Sequence, residues 1–233
     1  FITSCKKHFI EPTKTCIDNL NFIESSENHP LKEKLQLILD KYMHKGIPGA
    51  TLLFSNNQGV WIGSSGYADL NNNIKMQPCH IMKPGSVTKM LVGNIIWQLQ
   101  ENGDIKIENL ISEYVPDIAS KITNGNKITV EMLMNHTSGI YPIARDLEYN
   151  LAVVNNFTKS WNADEIIKYF ENKPATNEPG EKYYYCNTNT LILELIIETI
   201  TEKPIEEVLN DRIFIPLNMN NTVYYDYSEK FPK

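Results

Sequence analysis

The hydrophobic pattern of this chain changes period near residue 84, and that change limits the possible folds more than any composition figure does. Before it, Ala50 to Ser55 and Val60 to Tyr67 flank Asn56-Asn57-Gln58-Gly59, the pattern of an antiparallel hairpin. Ile74 to Met76, after Asn71-Asn72-Asn73, reads as a third short strand. Pro30 to Lys45 is predicted as a helix with Leu31, Leu35, Ile38, Leu39 and Tyr42 on one face, Pro30 in its first turn and Gly46 past its end. After residue 84 the pattern is helical. Val87, Met90, Leu91, Val92, Ile95, Ile96 and Leu99 recur at helical spacing up to an Asn102-Gly103 stop. Loop-rich segments follow. Within them lies a short helix from Val130 to Asn135 with Thr129 as N-cap and Gly139 as its C-terminal cap. Ala163 to Glu171 carries an Asn162/Glu165 capping box, Thr190 to Thr201 is a strongly apolar helix, and Pro204 starts another that reaches Arg212. An α+β fold is expected, with a sheet lobe, a mostly helical lobe and Ser86 where the two meet.

Composition excludes some classes of function. The 233 residues, 42% of them hydrophobic, suffice for a large core or two lobes, and no run approaches a transmembrane span. A net charge of −6, with no basic patch interleaved with aromatics, disfavours a nucleic-acid partner. The histidines at 8, 29, 44, 80 and 136 form no metal-binding spacing, and neither do Cys16, Cys79 and Cys186, so no metal and no cofactor are expected. A disulfide among these cysteines stays open. His136 reads as structural, at the end of its helix.

Chemistry concentrates at Gly85-Ser86-Val87-Thr88-Lys89. Ser86 and Lys89, at i and i+3, share a helical face, and Ser86 lies at a helix N-terminus, where free N–H groups favour developing negative charge. A serine hydroxyl needs a neighbouring base to become a nucleophile, and Lys89 is placed to act as one. The spacing also fits an ordinary helix start with a capping serine and a solvated lysine, and Ser4 to Lys7 repeats it with no helix behind it. About a hundred residues on, Tyr185-Cys186-Asn187 is the only Y-x-N in the chain. By itself it reads equally well as packed aromatics followed by a helix N-cap.

Taken together, six segments in order resemble the serine β-lactamase and penicillin-binding family. The resembling branch holds class C β-lactamases, D-alanyl-D-alanine carboxypeptidases and related esterases. The segments are Ile47-Pro48-Gly49-Ala50, Gly85 to Lys89, Leu133 to Gly139, Glu178-Pro179-Gly180, Tyr185-Cys186-Asn187 and Ile215-Pro216-Leu217-Asn218-Met219. The resemblance implies a β-lactamase/transpeptidase-like fold, an antiparallel sheet flanked by helices with an inserted helical lobe. It implies Ser86 as nucleophile, Lys89 and Tyr185 as the catalytic base pair, and Asn187 bonding the Lys89 side chain and the substrate amide. Lysine and tyrosine both titrate near pKa ~10, so the pair must shift one another and titrate as a unit.

The family's third box, a basic residue or His, one residue, then Gly, has no counterpart after Tyr185, because the last glycine is Gly180. His44-Lys45-Gly46 matches its letters but reads as a helix terminus. The chain is therefore expected to be an N-terminal two-thirds fragment lacking the family's C-terminal strands and helix. Phe1-Ile2-Thr3-Ser4-Cys5 resembles the tail of a bacterial lipoprotein signal with Cys5 as the lipidated residue. Residues 1–29 are read as that tail and a tether, 30–82 with 205–233 as the sheet lobe, and 83–204 as the helical lobe. The expected protein is a monomer in the bacterial cell envelope, facing the extracytoplasmic side and held to the membrane by the lipid anchor alone. Three functions are weighed: an acyl-enzyme hydrolase of peptidoglycan stem peptides or β-lactams, an esterase or amidase on the same scaffold, and a non-catalytic cell-wall-binding protein.

Overall fold

The computed structural model describes residues 28–156 and 159–224, and these fall into two compact units that divide between Lys83 and Pro84. The predicted tether and Cys5 lie largely outside the described residues. His29, assigned by sequence to the tether, belongs to the first unit instead: it is buried, hydrogen-bonded to Asn56 (3.1 Å), and accepts the Leu31 N–H at Nδ1 (3.1 Å).

In the first unit, helix α1 (Lys32–Met43) is followed by strands β1 (Gly49–Asn56), β2 (Gly59–Asp69) and β3 (Ile74–Lys75). The sheet is antiparallel in the order β1-β2-β3, with Leu53 opposite Ile62 and an irregularity between Tyr67 and Asp69. The hairpin closes at the predicted Asn-Asn-Gln-Gly turn, where Gly59 takes φ +128°. Helix α1 packs on β2, and Gln36 donates to the Ser64 carbonyl (3.2 Å). Only Leu39 of the predicted apolar face is fully buried, while Ile38 and Tyr42 are exposed. Cys79 is disulfide-bonded.

In the second unit a 3₁₀ turn (Gly85–Val87) leads into α2 (Thr88–Asn102), which ends on Gly103 at φ +83° as the sequence predicts. The remaining helices are α3 (Pro116–Ser120), α4 (Val130–Met134), α5 (Leu147–Asn155), α6 (Ala163–Ile167), α7 (Asn187–Thr201) and α8 (Ile205–Leu209), the last continuing into a π turn (Asn210–Phe214). Both α3 and α5 lie in the stretch read as loops. The outward Leu147, Leu151 and Val154 of α5 are exposed, so no single apolar face marks it. The Asn162/Glu165 capping box forms as predicted, with Glu165 N–H donating to Asn162 Oδ1 (2.9 Å) and Asn162 N–H to Glu165 Oε2 (3.3 Å).

The core of this unit is the α2–α7 contact. Val92, Ile95, Ile96 and Leu99 face Ile192, Leu193, Ile196 and Ile197, all buried, and each fully buried aliphatic side chain contributes about 1.5–3 kcal/mol. Ile205, Val208, Leu209, Ile213 and Phe214 join the same core, which corrects the assignment of residues 205–214 to the sheet lobe. Their apolar positions recur at helical spacing, and it is α2 and α7 that they meet.

Candidate active site

Ser86 lies in the 3₁₀ turn rather than at an N-cap, and its side chain caps nothing. Gly85 before it has φ +56°, a left-handed conformation that costs glycine no Cβ clash. The Ser86 side chain and N–H stay outside the helical hydrogen bonds, while its carbonyl accepts the Thr88 N–H. The N–H makes no hydrogen bond among the described residues, and the exposed Oγ accepts two: from Tyr185 OH at 2.8 Å and from Lys89 Nζ at 3.3 Å. The Lys89 ammonium also stands 5.1 Å from the Tyr185 ring centroid. Three residues predicted from two distant segments therefore share one point in space.

The Tyr185 phenol titrates below its ordinary range because hydrogen bonding with Lys89, then with Ser86, and the Lys89 charge favour the phenolate over what burial costs it. With the ring 45% exposed, solvent screens part of this effect.

Tyr185 is held by His136. Helix α4 stops in a Schellman motif: His136 takes φ +60°, its N–H donates to Leu133 O (3.4 Å), and Thr137 N–H donates to Met132 O (2.9 Å). The left-handed residue that ends α4 is thus His136 and not Gly139, which corrects the predicted cap. Gly139 serves elsewhere, since at φ +73° a Cβ there would strike the Asn177 carbonyl. The reversed backbone aims the His136 carbonyl at the Tyr184 N–H (2.8 Å) and lays the imidazole against Tyr185, with ring centroids 4.7 Å apart. Nδ1 accepts from the Cys186 N–H (3.4 Å) and from Asn189 Nδ2 (3.1 Å), which places the ring proton on Nε2. Burial and then the nearby Lys89 charge lower the His136 pKa and keep the ring neutral. The sequence marks His136 only as a structural helix end and does not show its contact with Tyr185. The one available signal was its place in a box that the resemblance already included.

A second set of bonds fixes the loop after His136 to the start of α7. Ser138 Oγ donates to Asn189 Oδ1 (2.7 Å), Thr188 Oγ1 donates to Tyr141 O (2.8 Å), and Ile143 N–H donates to Thr188 Oγ1 (3.1 Å). The free Cys186 is buried with Sγ 3.7 Å from the carbonyls of Ile140 and Tyr141. Asn187, the fourth predicted site residue, is the first residue of α7 and is exposed, and no hydrogen bond joins it to Lys89. It lines a cavity of about 440 Å³ with Pro142, Ala144, Arg145 and Tyr183 to Tyr185. Nothing in the sequence singled out Arg145.

The profile of the Beta-lactamase family matches residues 35–233. The chain belongs to the Beta-lactamase family. Its α+β fold is accordingly of the β-lactamase/transpeptidase type, as the order of the six segments predicted. Among curated relatives, Protein flp of Staphylococcus aureus (strain MW2) is 28% identical over 196 residues, covering 83% of this chain and 38% of its own length. The D-amino acid amidase from Ochrobactrum anthropi SV3, solved with L-phenylalanine amide, is 29% identical with a TM-score of 0.72, covering 87% of this chain and 54% of that one. The octameric penicillin-binding protein homologue from Pyrococcus abyssi is 26% identical with a TM-score of 0.66, covering 82% and 44%. The chain thus spans about half or less of the length of the relatives it matches. Family membership agrees with a Ser/Lys/Tyr cluster built from two of the predicted segments.

Proposed function

We propose that this Beta-lactamase family protein is a serine hydrolase that works through an acyl-enzyme on Ser86, with D-alanyl-D-alanine peptides, β-lactams or both as substrates. The observation that supports it is the single hydroxyl oxygen contacted by both Tyr185 (2.8 Å) and Lys89 (3.3 Å). In the phenol form Tyr185 donates to Ser86. Once the phenol is ionised, which Lys89 favours, the same contact reverses and the phenolate takes the Ser86 proton as Oγ attacks the substrate carbonyl. The proton is then available to the leaving amine, and water attacking the ester completes the cycle. The unbonded Ser86 N–H is one donor for the oxyanion. Asn187 lines the cavity beside Tyr185 and in this reading contacts the substrate amide. An extracytoplasmic, lipid-anchored setting belongs to the same proposal, and a disulfide at Cys79 fits an oxidising compartment.

Intact mass spectrometry after incubation with a fluorescent penicillin tests the reading. A stoichiometric adduct that disappears in Ser86→Ala is expected; no adduct on the wild type, or one that survives Ser86→Ala, overturns it. A second reading, an amidase acting on D-amino acid amides, is favoured by the 29% identity to an enzyme of that name. Release of ammonia from such amides without penicillin labelling is its signature.

A further inference from the structure

The cavity beside Tyr185 has a cationic rim that the reaction above does not use. Arg145 ends the 3₁₀ turn Ile143–Arg145, which is fastened by Ile143 N–H to Thr188 Oγ1 (3.1 Å) and by Arg145 N–H to Pro142 O (2.8 Å). The exposed guanidinium lies 5.0 Å from the centroid of the Tyr184 ring, so an aromatic face orients it at the cavity wall. Among the described residues it forms no ion pair. The adjacent carboxylate is already committed. Buried Asp146 accepts from the Tyr149 N–H (2.9 Å) and the Tyr141 hydroxyl (3.2 Å) and pairs with Lys173 (3.3 Å). Among the described residues no acidic side chain lines the cavity, and Tyr185, which does, is itself approached by the Lys89 ammonium.

We propose that Arg145 is a specificity-determining residue that receives a carboxylate of the substrate in the cavity lined by Tyr183 to Tyr185 and Asn187. Guanidinium stays charged at every working pH and offers a planar fork of donors matched to a carboxylate. A fixed cation in the cavity that Tyr185 also lines, with no counter-ion among the described residues, favours an anionic ligand over a neutral one. The assignment rests on the acyl-enzyme reading, and it adds to it the residue that receives the carboxylate.

The test measures protection of Ser86, in the full-length protein, from a neutral fluorophosphonate by two matched ligands, N-acetyl-D-alanine and N-acetyl-D-alaninamide. The acid is expected to protect the wild type at a concentration about tenfold lower than the amide. Arg145→Ala is expected to abolish that preference, and Arg145→Lys to restore part of it. Equal protection by acid and amide in the wild type, or a preference that persists in Arg145→Ala, overturns the assignment. If the wild type is not labelled at Ser86, the acyl-enzyme reading fails separately. The same acid-over-amide preference, and its loss in Arg145→Ala, is then required in calorimetric binding of the two ligands.

Discussion

At Ser86 one oxygen accepts hydrogen bonds from a phenol and an ammonium, and the phenol is backed by a residue that is hydrogen-bonded to neither Ser86 nor Lys89. His136 supports Tyr185 through its ring, the Tyr184 N–H through its carbonyl and the Cys186 N–H through Nδ1. Replacing it by alanine removes the ring and the acceptor and leaves a Cβ residue at φ +60°. Asparagine tolerates that conformation and carries an acceptor oxygen. The expected outcome is a fall of about tenfold in the rate of penicillin acylation for His136→Ala, as displaced catalytic geometry produces. In His136→Asn most of the rate is expected to be retained. Equal losses in the two variants, followed by stopped-flow labelling, would show that neither the acceptor nor the left-handed backbone matters.

Among the helices, α5 shows how a short element survives without an apolar face. Its N-cap is Asp146, whose side chain accepts the Tyr149 N–H and also holds Lys173 and the Tyr141 hydroxyl. The backbone hydrogen bond first, then Lys173 and Tyr141, keep this carboxyl below its usual pKa against the burial that raises it. A folded-state pKa below the unfolded one stabilises the fold above the ordinary Asp range, and that contribution is lost as pH falls through the folded value. Asp146→Ala is expected to cost about 2 kcal/mol at pH 7, combining a lost cap with buried partners left unpaired. The difference from wild type should shrink in acid, and urea denaturation at pH 7 and at pH 3 measures both. A constant difference across that range would assign the loss to packing instead.

For the molecule as a whole, stability is tied to pH by Glu194, half-buried on α7 and hydrogen-bonded to Tyr224 (3.3 Å). Burial pushes its pKa up to about 7, aided by the charge of Glu198 and opposed by Tyr224 and Lys89. The folded protein therefore holds a proton that the unfolded chain releases near pH 4.5, and stability falls as pH rises between that value and 7. Glu194→Gln is expected to remove this slope and raise stability at pH 8 by on the order of 1 kcal/mol, after allowing for partial exposure. Melting temperatures from pH 5 to 8 decide the matter, and parallel curves for the two proteins refute it. Much of this molecule was legible beforehand. The hairpin, α1, α2 and the apolar α7 follow from local periodicity and stop signals, and those depend only on neighbouring residues. Ser86 and Lys89 are brought together by one helical turn and need nothing else. By itself, then, the sequence determined the order of the main elements and the contact between these two residues. Only the tertiary structure decided that Tyr185, 99 positions away, bonds Ser86, that residues 205–214 join the helical core, and that Asn187 faces a cavity rather than Lys89. The left-handed turn at His136 and the placement of the Arg145 guanidinium on the Tyr184 ring were also decided there, for the same physical reason. Each depends on which distant groups satisfy a backbone or a charge, and spacing along the chain carries no record of that.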